Sequence, residues 1–185
     1  MLGEIARFLL NIVFTLFGAV LLLRVWLQLV RMPPYNQVSR TVFKVSDWIV
    51  VPLRRIVGGR GGVDWACIIA AWLCALVYLM GTILVSGGNP VSLLPIGLAI
   101  ALIMVLKWAI NLVMWVTLLM AIMSWVNPSA PAMPILIALT EPLLNPIRRI
   151  MPSLGGIDLS PMVLFLLTQV ALMVLSRLGL PLFGL

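Results

Sequence analysis

Residues 45–64 read VSDWIVVPLRRIVGGRGGVD and residues 139–158 read LTEPLLNPIRRIMPSLGGID, so one pattern occurs twice, 94 positions apart. Aligned without gaps, the two stretches are identical at seven of twenty positions. The identical pairs are Pro52/Pro146, Arg54/Arg148, Arg55/Arg149, Ile56/Ile150, Gly61/Gly155, Gly62/Gly156 and Asp64/Asp158. We therefore predict an internal repeat, with residues 1–90 as the first copy and residues 91–185 as the second.

Apolar segments flank both copies of the pattern. Four of them, residues 5–30, 64–85, 104–126 and 158–178, are long enough at 1.5 Å per residue to cross a hydrocarbon core of roughly 30 Å. Only 9% of the residues are charged, whereas a soluble domain usually has about 25%. The sequence predicts an all-α membrane protein with four transmembrane helices, built from two parallel repeats of span, loop and span.

Residues 93–106 are apolar but too short for a comfortable additional span. They are compatible with an extension of the third span, with a segment in the membrane interface, or with a segment that folds back. A fifth span would reverse the orientation of the second half, and the shared loop pattern argues against it.

The first loop predicts an amphipathic helix that lies in the interface. Apolar residues recur at helical spacing, with basic residues largely opposite them. The apolar set is Val38, Val42, Val45, Ile49 and Leu53, and the polar set is Arg40, Lys44, Asp47 and Arg54. The corresponding stretch 133–150 contains Pro142 and Pro146, which predict a break and a deeper, re-entrant course.

Basic residues are distributed unequally between the two sides of the predicted membrane. Eight lie in the two loops that carry the pattern: Arg31, Arg40, Lys44, Arg54, Arg55, Arg60, Arg148 and Arg149. Three lie near span ends on the other side: Arg7, Lys107 and Arg177. Basic loops normally stay in the cytoplasm. We expect both pattern loops there, both termini in the periplasm, and anionic lipid headgroups as partners. Arg24 is expected to reach an interface by snorkelling.

The repeated polar residues are the candidate site. Asp64 and Asp158 each open an apolar run, where a carboxylate caps free N–H groups. The pairs Arg54/Arg55 and Arg148/Arg149 are interpreted either as simple topology signals or as a clamp on a carboxylate or a lipid phosphate. Acidic residues beside spans are usually functional. Asp47 and Glu141, with hydroxyls from Ser46 and Thr140, are therefore candidates for a cation site.

Enzymatic chemistry has no visible signature in this chain. Histidine is absent, which removes the commonest metal ligand and general base. Cys67 and Cys74 are two helical turns apart, too far for a disulfide, and fit helix packing. We predict a protein that is not an enzyme, has no cofactor or metal, and does not bind nucleic acid. Another membrane protein or a second copy remains a candidate partner.

Four motifs resemble the YggT family. They are RVWLQ at Arg24–Gln28, MAIMSWV at Met120–Val126, the two P-[LI]-R-R-I boxes, and GGIDLSPM at Gly155–Met162. The first copy departs from the pattern at Gly58-Gly59-Arg60, where the second has Pro152-Ser153-Leu154. The resemblance implies a small four-span protein of the bacterial inner membrane or of plastids. It links bacterial members to osmotic or ion stress and to division genes, and plastid members to cytochrome-complex maturation.

Two functions follow as expectations. The first is a contribution to ion or osmotic homeostasis, by cation transport or by support of a transporter. The alternative is a membrane scaffold that recruits a division or respiratory/cytochrome complex through its basic loops.

Overall fold

The computed structural model describes residues 1–33, 36–57, 64–150 and 158–183. Within these ranges the chain forms six α-helices and one short 3₁₀ turn at Pro90–Leu93, and no strand. The helices are α1 Leu2–Leu29, α2 Gln37–Val57, α3 Trp65–Val85, α4 Leu94–Val126, α5 Met133–Ile150 and α6 Ser160–Phe183. The prediction of an all-α protein is confirmed. The Gly-Gly pairs and Arg60 of the repeated pattern lie outside the described residues.

Among the described residues, four helices are long and apolar enough to cross a membrane: Leu2–Leu29, Trp65–Val85, Pro95–Val126 and Ser160–Arg177. They coincide with the four predicted spans. Large apolar side chains such as Phe8, Leu16 and Val77 are more than half exposed along them, which suits helices whose surroundings are lipid. Residues 94–106 extend the third spanning helix, the first of the three alternatives. Pro95 lies in its first turn, where a missing N–H costs little.

Two compact units make up the chain. One contains Met1–Ala109 together with the end of α6 from Leu178 onward, and the other contains Ile110–Arg177. The division falls inside α4, whereas the sequence pattern divides the chain at residue 90. The two units therefore differ in their bounds from the predicted repeats, residues 1–90 and 91–185. The internal repeat stays a prediction.

The first unit has a core of small residues on α3. Ala70, Ala71 and Ala75 are fully buried there, so neighbouring helices can approach α3 closely. On α1, Gly18 faces the ring of Trp108 from α4. Trp108 is itself buried and stacks at an angle on Tyr78, with ring centroids 6.3 Å apart.

Helix α2 packs against both α1 and α3. Its buried face consists of Ser39, Val42, Ser46 and Val50. Of the predicted apolar face, Val42 is packed against the neighbouring helices, and Val38 and Val45 are exposed; the placement of α2 in the membrane interface stays a prediction. The packed face includes two serines. The Ser46 hydroxyl bonds to Arg24 and to the carbonyl of Val42, whereas the buried Ser39 hydroxyl has no hydrogen-bond partner among the described residues. The more hydrophobic neighbours are left for the membrane side.

Helix α5 is continuous through Pro142 and Pro146, so the predicted break is wrong. Both prolines, and Pro52 in α2, lie on exposed faces. Their rings therefore stay outside the packed face, and burial of Leu136, Leu139 and Leu144 holds the helix together.

Candidate functional site

The first part of the site is a buried arginine between α1 and α2. Arg24 is 3% exposed. Its Nη1 donates to Ser46 Oγ at 2.6 Å and to Asp47 Oδ1 at 2.8 Å. The guanidinium also lies over the ring of Phe43, 4.8 Å from the centroid. Ser46 in turn donates to the carbonyl of Val42 one helical turn back, at 2.6 Å. The contacts of Arg24 with Ser46, Asp47 and Phe43 therefore hold α1 against α2.

This arrangement corrects one expectation and changes another. The prediction that Arg24 snorkels to an interface is wrong, because an acidic partner on α2 neutralises it in place. Ser46 and Asp47, candidates for a cation site, are brought together, but their oxygens already bind a guanidinium. A metal ion there would first have to displace Arg24.

The second part of the site joins the end of α2 to the start of α3. Arg54 Nη2 forms an ion pair with Asp64 Oδ2. Gln28 at the end of α1 donates to the same oxygen from its Nε2, at 3.3 Å. Asp64 is 8% exposed, so this carboxylate ties three helices together beneath the surface.

The equivalent pair in the other unit joins α5 to α6. Arg148 donates to Asp158 Oδ2 from Nε at 2.9 Å and from Nη2 at 2.6 Å. Both side chains are about two-fifths exposed. The separation between arginine and aspartate is ten residues in both pairs, so the first arginine of each Arg-Arg box contacts the aspartate that follows it.

The second arginine of each box behaves differently. Arg55 and Arg149 are exposed and form no ion pair with any described residue. Thr140 is buried, and its hydroxyl donates to the carbonyl of Leu136 at 2.8 Å. Glu141 is exposed, and within the described ranges it makes no ion pair. Thr140 and Glu141 therefore do not form a closed site like Ser46 and Asp47.

The capping hypothesis has two outcomes. Asp64 occupies the N-cap position of α3, yet its side chain makes no capping hydrogen bond. Arg54 and Gln28 both bind Oδ2 of this carboxylate, and its Oδ1 has no hydrogen-bond partner among the described residues. Asp158 does accept a backbone hydrogen bond, from Ser160 N to Oδ1 at 2.9 Å. Asp158 thus serves the helix start and the ion pair at once.

Sequence reasoning missed Arg24 and Gln28 as members of the site. Both lie in the quoted RVWLQ motif, one helical turn apart and hence on one face of α1. Two polar side chains on the same face of an apolar span could have identified them as site residues, since such residues face protein rather than lipid.

Electrostatics holds both aspartates in the charged form. Burial raises the pKa of the Asp64 carboxyl, but hydrogen bonds from Arg54, Cys67 and Gln28 lower it by more, and it lies below its usual range. Burial likewise raises the pKa of Asp158, and hydrogen bonds from Ser160 and Arg148 outweigh this. The pKa of Arg54 is raised, chiefly by its bond to Asp64.

These shifts predict acid sensitivity. A carboxyl with a depressed pKa in the folded state contributes stability above its unfolded pKa of about 4, and that contribution is lost as pH falls through the folded value. We expect the free energy of unfolding, measured by detergent denaturation, to fall below about pH 4. Asp64→Asn should flatten this dependence more than Asp158→Asn, because Asp64 is the more buried. Equal slopes in all three proteins would contradict the assignment.

The arginine boxes give a second prediction. Arg148→Lys keeps the charge but replaces a planar fork by a single ammonium, and it should lower stability by about 0.2–1 kcal/mol at this exposed pair. Arg54→Lys should cost more, because its partner is buried. Arg55→Lys and Arg149→Lys are the matched controls and should have no effect on the melting temperature. If all four variants melt like the parent, the arginines act as topology charges alone.

No group of three metal-ligating side chains occurs within the described residues. A crevice of about 330 Å³ between α4 and α6 is lined by apolar side chains, including Leu118, Pro161 and Phe165. Within the described residues, the main groups of polar side chains are therefore the ion pairs Arg24–Asp47, Arg54–Asp64 and Arg148–Asp158.

Comparison with known proteins places these residues in a family. The family model CCB3/YggT matches residues 3–84 and 99–179. The "Uncharacterized protein YggT" of Escherichia coli (strain K12) is 42% identical over 164 residues, which cover 88% of this chain and 85% of that protein. The "Uncharacterized protein in proC 3'region" of Vibrio alginolyticus is 38% identical over 165 residues, 89% of each chain. An "Uncharacterized protein" of Haemophilus influenzae is 34% identical over 182 residues, covering 96% and 95% of the two chains. No solved structure matches. The chain belongs to the CCB3/YggT family.

Proposed function

We propose that this protein is a non-enzymatic factor of the bacterial inner membrane that contributes to ion or osmotic homeostasis by supporting another membrane protein, and does not conduct ions itself. The observation that carries the proposal is the Arg24–Asp47 pair. The acidic residue best placed to bind a cation is already neutralised by an arginine of the same chain, which supports a structural role for it.

The interior of the first unit supports the same conclusion. The buried core cluster that joins α1, α3 and the start of α4 consists of apolar side chains, among them Leu21, Ala71, Ala75 and Trp108. An ion path needs polar groups or water at membrane depth, since a bare charge in hydrocarbon is expensive. Within the spans, Asn11 accepts hydrogen bonds from Thr15 and Tyr78. The ion pairs of α2 with Arg24 and Asp64 lie where α2 meets α1 and the start of α3.

Flux measurements test this proposal. The purified protein in liposomes should pass Na⁺ and K⁺ no faster than empty vesicles under an imposed gradient. A cation flux that requires Asp47 or Glu141 would overturn the proposal and establish transport. Asp47→Asn and Glu141→Gln are the variants that assign such a flux to either half of the chain.

The orientation of the protein is part of the proposal. The bias of basic residues toward the two pattern loops favours parallel repeats, cytoplasmic loops and periplasmic termini. Activity reporters inserted at Gly61 and at Gly155 should both indicate the cytoplasm, and reporters at the two termini should both indicate the periplasm. Loop reporters on opposite membrane sides would exclude the parallel arrangement.

A scaffold for a division or respiratory/cytochrome complex is the second candidate. It is favoured by the exposed residues at the ends of the loop helices, where Arg55 and Ile56 on α2 and Arg149 and Ile150 on α5 combine charge with apolar surface. Affinity purification from native membranes separates the two functions by the class of protein recovered. Variants with these four positions changed to Ser should lose the partner in either case, while the ion pairs stay intact.

A further inference from the structure

Two hollows follow each other along α2 in the first unit. The first is open and partly polar, and its lining includes Gln37, Arg40, Thr41 and Lys44. The second is a groove of about 380 Å³ bordered by α1, α2 and α3, lined by apolar side chains. Its volume falls within the range of about 300–1,000 Å³ that is typical of small-molecule sites.

The groove runs along the surfaces of two membrane-spanning helices. Val13 and Phe17 line it from α1, and Leu73 and Val77 line it from α3. Trp48 of α2 also lines it and contacts the ring of Phe17, with ring centroids 5.5 Å apart. Val13, Val77 and Trp48 are more than half exposed, so the groove opens toward the surroundings of the spans.

The residues that connect the two hollows lie on one side of α2. Arg40, Lys44 and Trp48 follow one another at intervals of four residues, and a helix places such residues in a single slanted row. The opposite side of α2 carries the buried Val42 and Ser46. This row leads from the basic hollow, lined by Arg40 and Lys44, to the apolar groove, lined by Trp48, on the side of α2 away from its packed face.

The basic hollow is lined by two cations, Arg40 and Lys44, and by one carboxylate, that of Asp47. Arg40 and Lys44 are exposed and pair with no carboxylate of the described residues. The nearest acidic side chain on the helix, Asp47, already binds Arg24. Two adjacent cations beside an apolar groove complement a molecule with an anionic head and a hydrocarbon tail.

We propose that these two hollows form a binding site for one anionic phospholipid. Its phosphate lies between Arg40 and Lys44, and one acyl chain passes Trp48 and fills the groove between α1 and α3. A guanidinium and an ammonium one helical turn apart suit a phosphodiester. Hydrocarbon is the natural occupant of an apolar groove beside two spans, and the indole of Trp48 lies at the boundary between head and tail. This site goes beyond the proposed function and does not depend on it.

The experiment offers the purified full chain equal amounts of phosphatidylglycerol and phosphatidylcholine with identical acyl chains, and native mass spectrometry counts the lipids retained. The parent protein should keep one phosphatidylglycerol. Arg40→Gln with Lys44→Gln should weaken that binding roughly thirtyfold, which corresponds to about 2 kcal/mol for two surface cations. Trp48→Ala should weaken retention of both lipids, because it removes apolar lining from the groove that holds the chain.

Controls separate this site from general attraction to basic protein. Arg149→Gln with Arg177→Gln removes two exposed charges from the other unit and should leave lipid binding unchanged, as should Arg40→Lys with Lys44→Arg. Free glycerol 3-phosphate should not displace the lipid, since it lacks the acyl chain. Equal weakening by the control pair, equal retention of phosphatidylcholine, or full displacement by glycerol 3-phosphate would each overturn the proposal. Helix content and melting temperature of the exposed-residue variants should match those of the parent.

Discussion

Gly18→Ala is expected to destabilise the protein by about 1–3 kcal/mol, the usual cost of overpacking a tight core. A Cβ atom at this position would lie 2.3 Å from Cε3 and 2.5 Å from Cζ3 of Trp108. The indole cannot move away easily, because it is buried and packs against Tyr78. Larger side chains such as Leu should prevent α1 and α4 from packing at all.

Unfolding in mixed detergent measures this effect. Gly81→Ala is the matched control: it lies in the spanning helix α3, and its Cβ would meet Leu10 at an ordinary 3.4 Å. It should be neutral or stabilising, since alanine is favoured over glycine in a helix by roughly 0.5–1 kcal/mol. Combining Gly18→Ala with Trp108→Leu should recover part of the loss and show non-additivity. Equal stability of Gly18→Ala and Gly81→Ala would mean that the Trp108 ring does not pack against Gly18 of α1.

The sequence predicts the coarse fold well because lipid imposes a simple rule. Each span must be apolar for about 20 residues, so composition and length alone locate α1, α3, α4 and α6. This requirement does not apply to α2 and α5, which are not spans, so it does not predict how they pack. Their packed faces follow from which side chains find partners, and Ser46 is buried where Val45 is exposed.

The candidate site is predictable in part for a related reason. The repeated spacing singles out Arg54 with Asp64 and Arg148 with Asp158, and the structure brings each pair together. It does not indicate that the partner of Asp47 is Arg24, because that residue lies on another helix and belongs to no repeated position. Leu118 occupies the position 94 residues after Arg24, so comparison of the two copies conceals this interaction.

Asp47→Asn is expected to reduce stability by about 2–4 kcal/mol. Breaking a buried ion pair typically costs about 3–5 kcal/mol, because the remaining charge stays buried without compensation. Here the remaining charge is Arg24, whose side chain is 4% exposed, while that of Asp47 is 49% exposed. Water can partly replace the lost carboxylate from the Asp47 side, and this places the effect below the upper end of the range.

Glu141→Gln supplies the matched control, because Glu141 occupies the equivalent position of the second copy, is exposed, and faces no arginine equivalent to Arg24. It should change stability by less than about 0.5 kcal/mol, as surface substitutions usually do. The double variant Arg24→Leu with Asp47→Asn gives the first copy the apolar residue that the second has at Leu118. It should be more stable than Asp47→Asn alone, since removing both charges also removes the uncompensated one. Detergent unfolding of the four proteins tests the argument. An Asp47→Asn protein as stable as the parent would show that Arg24 does not depend on this carboxylate and would return Asp47 to the candidates for a functional cation ligand.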